Sequence, residues 1–167
     1  GSASSLLLSQ AEPSVVSSIG HTLIYDVRND RLEPSSGFVV RFGQEFAGVG
    51  GSETYLRHTG GGTYYYPVMN QVVFNAGANG GYVFGIGQDI RLSQRFFLGG
   101  DNLRGFETRG VGPRDNLVGH SLGGNVFYAG SVGLTFPVGI PKEFGVSGRA
   151  FADFGSLWEV DIESPRV

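Results

Sequence analysis

A glycine-rich stretch, RFFLGGDNLRGFETRGVGPRD at positions 95–115, concentrates the residues of this chain that are best suited to binding. It contains several arginines, aromatic side chains and spaced glycines between segments that look like strands. A guanidinium group forms strong hydrogen-bonded ion pairs with carboxylates. The stretch is too rich in glycine for a helix and too charged for the core of a strand, so we predict a loop that acts through non-covalent contacts.

No pattern typical of catalysis or of metal binding occurs elsewhere in the sequence. There is no G-x-S-x-G or H-E-x-x-H motif, and the absence of cysteine excludes disulfides and thiolate metal sites. His21, His58 and His120 are scattered, and the glycines at 60–62 lack the Lys-Ser/Thr and the helix that follow a phosphate loop. We therefore expect no catalytic residue, no metal, no cofactor and no enzymatic activity.

The composition is typical of a β-rich chain with tight turns and an apolar outer surface. The 167 residues include 29 glycines and only 16% charged residues, against roughly 25% in ordinary soluble domains. The net charge of −3 argues against a nucleic-acid partner, because such a partner requires a basic face.

Alternation of apolar and small or polar residues is the main signal along the chain. In GFVVRFGQEFA, at 37–47, Phe38, Val40, Phe42 and Phe46 share one face, and a period of two indicates a strand. No helix is predicted. We predict an all-β, antiparallel, up-and-down arrangement with a long loop at 91–122. Its six strands are expected at 17–26, 37–47, 53–66, 71–88, 124–137 and 144–158.

This alternation fits either a soluble β domain or a membrane barrel with its apolar face toward lipid. Three features favour the barrel: the polar face is rich in small residues, aromatic residues cluster near strand ends, and the strands have the length of a tilted bilayer crossing. Known single-chain outer-membrane barrels have at least about eight strands. We therefore expect the chain to be a segment of a larger barrel.

The long loop and the strands after it contain motifs in a fixed order. These are GGDN at 99–102, LRGF at 103–106, GVGPRD at 110–115, LGGN at 122–125 and the turn FPVGIP at 136–141. The triplet RGF alone is weak evidence, but with its flanks the series resembles the Omp85 superfamily, and within it the BamA family of outer-membrane insertases. The resemblance covers about residues 18–160.

The resemblance implies a barrel of about sixteen strands, of which this chain supplies the eighth to the thirteenth, with the loop at 91–122 folded back into the lumen. It implies a location in the bacterial outer membrane and a role in folding and inserting β-barrel proteins there. The implied partners are the lipid bilayer, unfolded outer-membrane protein clients and, in the full-length protein, accessory assembly lipoproteins and POTRA domains.

The resemblance also assigns roles to residues of the loop. Gly99 and Gly100 would lie where the backbone passes close to the barrel wall. The lumen motif would comprise Leu103, Arg104, Gly105 and Phe106. The segment that orders the rest of the loop would comprise Gly112, Pro113, Arg114 and Asp115.

In the family, the motif arginine pairs with acidic residues on the two strands after the loop. The matching positions here are Asp153 and Thr135, so one carboxylate is replaced by a hydroxyl, and Arg104 would have a weaker clamp. An ion pair between Asp153 and Arg149, on the same face of one strand, is the alternative. Phe106 would pack on the inner wall near Phe127 or Phe151.

Two other functions remain open at this level. A related Omp85-type translocation pore, of the TamA-like or two-partner secretion type, shares the loop motif. A soluble all-β binding module that resembles the barrel by chance belongs to a different class, and it would be expressed as a soluble monomer without detergent.

Overall fold

The computed structural model describes residues 15–100, 102–114, 119–139 and 146–159, and its strands form one antiparallel sheet. The strands are β1 (Ser18–Asp26), β2 (Gly37–Ala47), β3 (Tyr55–Met69), β4 (Val72–Gly85), β5 (Val126–Pro137) and β6 (Ser147–Trp158). They lie side by side in chain order, with β1 and β6 at the two edges. The predicted all-β, up-and-down arrangement of six strands is confirmed.

The strand limits differ from the prediction by up to three residues, because β3 ends three residues later than predicted and β4 ends three residues earlier. β3 continues through Pro67 to Met69, which pairs with Val72, so the connection is shorter than the predicted turn. The register shifts between Pro67 and Met69, because proline lacks the N–H that a regular ladder needs and is tolerated at a bulge. The predicted strand residues 144 and 145 lie outside the described part of the chain.

The two faces of the sheet differ in character. The outer face, which points away from the long loop, presents apolar side chains such as Leu23, Val40 and Phe42, which are 64%, 46% and 41% exposed. The inner face presents small and polar residues, and a cavity of about 670 Å³ lies between it and the loop. This distribution is the one expected of a barrel wall with lipid outside and a polar lumen inside.

The buried apolar residues lie between the long loop and the inner face. One cluster joins Ala47, Tyr55, Val83 and Ile90, and a second joins Leu98, Leu103, Ala129 and Leu157. Phe96 packs against both clusters. Fully burying one such leucine stabilises a fold by about 1.5 to 3 kcal/mol, so the loop is packed onto the wall as part of the fold.

The connection between β4 and β5 contains a short 3₁₀ helix, Leu92–Gln94. Within the described ranges, no helix has the length and apolar character needed to cross a bilayer. Those ranges also contain no group of three or more His, Asp or Glu side chains arranged to hold a metal ion.

On the outer face, the ring of Phe154 on β6 lies directly over Gly130 on β5, so that a β-carbon at Gly130 would overlap the ring. An aromatic ring over a cross-strand glycine shields its backbone and stabilises the pair. We expect Phe154→Ala to lower the free energy of unfolding by about 1 kcal/mol, measured by urea denaturation in lipid vesicles. Leu134→Ala, at an exposed outer position of β5, is the control, and an equal loss in both variants would contradict a specific Phe154–Gly130 contact.

Candidate functional site

The long loop runs from β4 to β5 and folds back along the inner face. Isolated antiparallel bridges pair Phe96 with Gly124, and Leu98 with Val111. The N–H groups of Phe96 and Gly124 donate to each other's carbonyl oxygens, at 2.9 and 3.0 Å. The loop is therefore closed on itself at its base by backbone hydrogen bonds, which positions the motif residues at its tip.

The tip of the loop begins with a turn that contains Gly99, Gly100 and Asn102. Gly99 and Gly100 have φ values of +126° and +68°, in a region that favours glycine. The Gly99 N–H donates to Asn102 Oδ1 at 2.8 Å, and Asn102 Nδ2 donates to the Phe97 carbonyl at 2.9 Å. The asparagine side chain thus fixes a turn that only glycine at position 99 permits, because a β-carbon there would overlap the Glu107 carbonyl.

Arg104 binds Asp153 of β6 through a two-pronged ion pair. Its Nε donates to Asp153 Oδ2 and its Nη2 to Asp153 Oδ1, both at 2.7 Å. The Arg104 backbone N–H also donates to Oδ2, at 3.3 Å. The guanidinium carbon lies 3.6 Å from the centroid of the Phe151 ring, an arrangement that adds a cation–π attraction.

The environment of this pair keeps the Arg104 guanidinium charged. The Asp153 side chain is only 7% exposed, whereas that of Arg104 is 40% exposed. Its hydrogen bonds to Asp153 raise the pKa of the Arg104 guanidinium above its ordinary value. A buried carboxylate requires such a partner, because an unpaired charge in a poorly hydrated site is costly.

The second acceptor of Arg104 is Ser131 and not Thr135, which corrects the sequence prediction. Arg104 Nη2 donates to Ser131 Oγ at 2.9 Å. In the β5–β6 register, Ser131 is opposite Asp153 and Thr135 is opposite Arg149. Thr135 lies four residues, or about 13 Å along the strand, from the position that faces the guanidinium.

Of the two partners considered for Asp153, the structure shows Arg104, the expected one, and not Arg149, the alternative. A further expectation, about Phe106, is wrong. Phe106 does not pack on Phe127 or Phe151: its side chain is 52% exposed. Instead, the Phe96 ring packs at a tilt against Phe127, with ring centroids 4.6 Å apart, and the guanidinium of Arg104 covers Phe151, as described above.

The remaining predicted loop residues lie around these contacts. Leu103 is buried in the second apolar cluster, and Gly105 has a φ of +85° in open space. Gly112, with a φ of +113°, packs against Leu157. Arg114 donates to the carbonyls of residues 119 and 110, and the Pro113 carbonyl accepts from the Leu122 N–H. Asp115 lies outside the described residues.

A second attachment of the loop, centred on Arg57 of β3, was missed by the sequence reasoning. Arg57 Nη1 lies 3.4 Å from Glu45 Oε2 on β2, and Nη2 donates to the carbonyl of Gln94 at the start of the loop. Its guanidinium carbon is 5.3 Å from the Tyr55 ring centroid and 5.5 Å from that of Phe96. The available signal was the opposite charge of Glu45 and Arg57 at inner positions of neighbouring strands.

The sequence as a whole matches one protein family. The Omp85 superfamily domain matches residues 2–167. The chain belongs to the Omp85 superfamily. The resemblance predicted from the loop motifs is thereby confirmed, and a soluble module that resembles the barrel by chance is excluded.

Relatives of this Omp85 chain occur in bacteria and in animals. The outer membrane protein assembly factor BamA of Neorickettsia risticii is 32% identical over the full chain. The sorting and assembly machinery component 50 homolog of Bos taurus is 31% identical over 83% of it. The chain spans 23% of the first protein and 30% of the second.

A solved structure shows the same fold. The crystal structure of BamA from Haemophilus ducreyi lacking POTRA domains 1-3 superposes with a TM-score of 0.75. The match covers 85% of this chain and 30% of that one, at 19% sequence identity. The six strands thus correspond in architecture to part of an Omp85 barrel.

The Arg57 attachment gives a test of how the Omp85 loop is held. We expect Arg57→Met, which keeps an unbranched apolar stem, to weaken the attachment by about 1 to 2 kcal/mol, because it removes the bond to Gln94 and the ion pair with Glu45. Because this chain contains no cysteine, a cysteine at Gln94 in an otherwise cysteine-free protein reports exposure by its labelling rate. Arg31→Met is the control, because the Arg31 side chain is 83% exposed on the β1–β2 connection. Equal labelling in Arg57→Met and in the parent would contradict the attachment.

Proposed function

We propose that this chain is part of an outer-membrane protein assembly factor that folds and inserts β-barrel proteins into the bacterial outer membrane. The observation that carries this proposal is the motif loop held on the inner face by the bidentate contact of Arg104 with Asp153. The similarity of the full chain to an assembly factor named BamA supports it.

The work of such a factor is non-covalent. Client strands are expected to add by β-augmentation, in which an extended segment pairs with an exposed sheet edge. The six strands described here supply a continuous wall, and the loop fills part of the lumen against that wall. We propose that they form the supporting side of the barrel and that client strands pair at a seam elsewhere in the full-length protein.

The proposed surroundings follow from the two faces of the sheet. The apolar outer face contacts the hydrocarbon of the outer membrane, and the inner face borders the lumen. The proposed partners are unfolded outer-membrane proteins as clients, together with accessory assembly lipoproteins and POTRA domains that belong to the full-length protein.

Depletion of the full-length protein from its bacterium tests the proposal. We expect many β-barrel proteins to accumulate unfolded, visible as loss of their heat-modifiable, folded gel bands, and re-expression of the protein to restore them. If the barrels instead remain folded and a single exported passenger is retained in the periplasm, the chain belongs to a translocation pore and the assembly proposal fails.

A further inference from the structure

The outer face of the sheet contains a short row of polar side chains within a largely apolar surface. At the outward positions of the six described strands, there is no Asp, Glu, Lys or Arg side chain. His21, Gln44 and His58 are the three outward histidine and amide side chains on these strands. They lie on β1, β2 and β3, so their grouping is a property of the fold and not of the sequence order.

These three residues are direct neighbours in the sheet. His21 is opposite Gln44, and Gln44 is opposite His58. Gln44 Nε2 and His58 Nδ1 are 3.1 Å apart, within hydrogen-bond distance. The His58 ring stacks on Phe42, with centroids 6.3 Å apart and an interplanar angle of 26°. The row is thus partly fixed in place before any partner binds.

The row lies near the loop-side ends of its strands. Each residue is three positions from the end of its strand, at Ser18, Ala47 and Tyr55. This separation is about 10 Å along the strand, which places the row toward the boundary between hydrocarbon and headgroups in a tilted barrel wall. Apolar side chains flank it on both sides: Ile19, Phe46 and Leu56 toward the loop end, and Leu23 and Phe42 toward the membrane centre.

Polar groups on a lipid-facing surface require partners, because an unsatisfied donor or acceptor in an apolar environment is costly. Within the described part of the chain, the Gln44–His58 contact is the one hydrogen bond that these three side chains make. The second Gln44 N–H, its carbonyl and the His21 ring therefore face the membrane with hydrogen-bonding capacity to spare. Imidazole and amide N–H groups donate readily to phosphate oxygens.

We propose that the row His21–Gln44–His58 binds the phosphate headgroup of a membrane phospholipid, whose acyl chains then run along Leu23 and Phe42. Neighbouring strands are about 4.8 Å apart, so the three side chains span about 10 Å, the scale of a phosphate with its glycerol esters. The proposal requires that the outer face of this Omp85 sheet faces lipid, and it does not depend on client assembly.

Lipid binding by the purified full-length protein tests the row. Phosphatidylglycerol is titrated into the delipidated protein in detergent, and bound lipid is counted by native mass spectrometry. We expect the His21→Leu/Gln44→Leu/His58→Leu variant to bind its most tightly held phosphatidylglycerol about tenfold more weakly than the parent. The control is Tyr64→Leu, which removes an outward polar group on β3 away from the row and is expected to leave this affinity unchanged.

Four outcomes would overturn the proposal, and the first three concern the lipid. They are equal affinity in the triple variant and the parent, an equal loss in Tyr64→Leu, and displacement of the lipid by millimolar inorganic phosphate, which would indicate a site for the free anion. In the fourth outcome, the triple variant loses binding of a second copy of the protein and keeps its lipid. That result would assign the row to a protein–protein contact and would also overturn the proposal. Heat-modifiable gel migration checks that each barrel is folded. If the triple variant does not fold, His58→Leu and Gln44→Leu are each expected to weaken binding about threefold.

Discussion

Replacing Arg104 with alanine is expected to weaken the attachment of the loop tip to the wall by about 3 kcal/mol, which raises the detached population about a hundredfold. The substitution removes two charge-assisted hydrogen bonds and leaves the carboxylate of Asp153 buried without its guanidinium. The rate of protease cleavage at 107–110, in the folded full-length barrel, measures the detached population.

Other variants separate the ion pair from a general effect of losing an arginine. Arg109 lies in the same loop, with its guanidinium carbon 4.5 Å from the Phe97 ring centroid, so Arg109→Ala is expected to change cleavage at most about threefold. Asp153→Asn is expected to behave like Arg104→Ala, and the double variant to be no worse than either, because both single changes remove the same interaction. Unchanged protease resistance in Arg104→Ala would contradict the clamp.

Gly99→Ala is expected to disrupt the turn before the motif, at a cost of about 3 kcal/mol. An alanine would have to adopt a φ of +126°, and its β-carbon would overlap the Glu107 carbonyl and lie 2.8 Å from the Gly110 nitrogen. These are backbone atoms that are held by a Gly110-to-Glu107 hydrogen bond of 2.7 Å, so they do not move aside easily. The loss is measured as faster hydrogen exchange of the amides at 96–111.

Gly105 provides the matched control for this substitution. It also has a positive φ, +85°, but a β-carbon there meets open space. Gly105→Ala is therefore expected to cost only the backbone strain, about 1 kcal/mol. Equal exchange rates in the two variants would mean that strain alone, and not the close approach of Glu107, makes glycine necessary at position 99.

Much of the fold was predictable because strand alternation is a local property. The apolar positions Phe38, Val40 and Phe42 identified β2 and its outer face without any knowledge of its neighbours. The pairing of Arg104 with Asp153 was predictable only through the resemblance to a family, because 49 residues separate the two partners.

The errors come from information that alternation does not contain. Both Ser131 and Thr135 lie on the inner face of β5, and only the register of the β5–β6 hairpin decides which one is opposite Asp153. In the same way, Arg57 and Glu45 were visible as inner charges on separate strands, but their distance depends on the β2–β3 register. Phe106 resembled a core residue by type, whereas Leu98 and Leu103 occupy the buried positions under the loop.

The two attachments of the loop are made to different parts of the sheet, with β4 between them. Arg57 attaches the start of the loop, at Gln94, to β2 and β3. Arg104 attaches the tip of the loop to β5 and β6. Because these two points of attachment lie on opposite sides of β4, the loop resists any motion that would move them apart. A change in the shape of the sheet is therefore expected to be smallest between β2 and β6, the strands that the loop joins from the inner face.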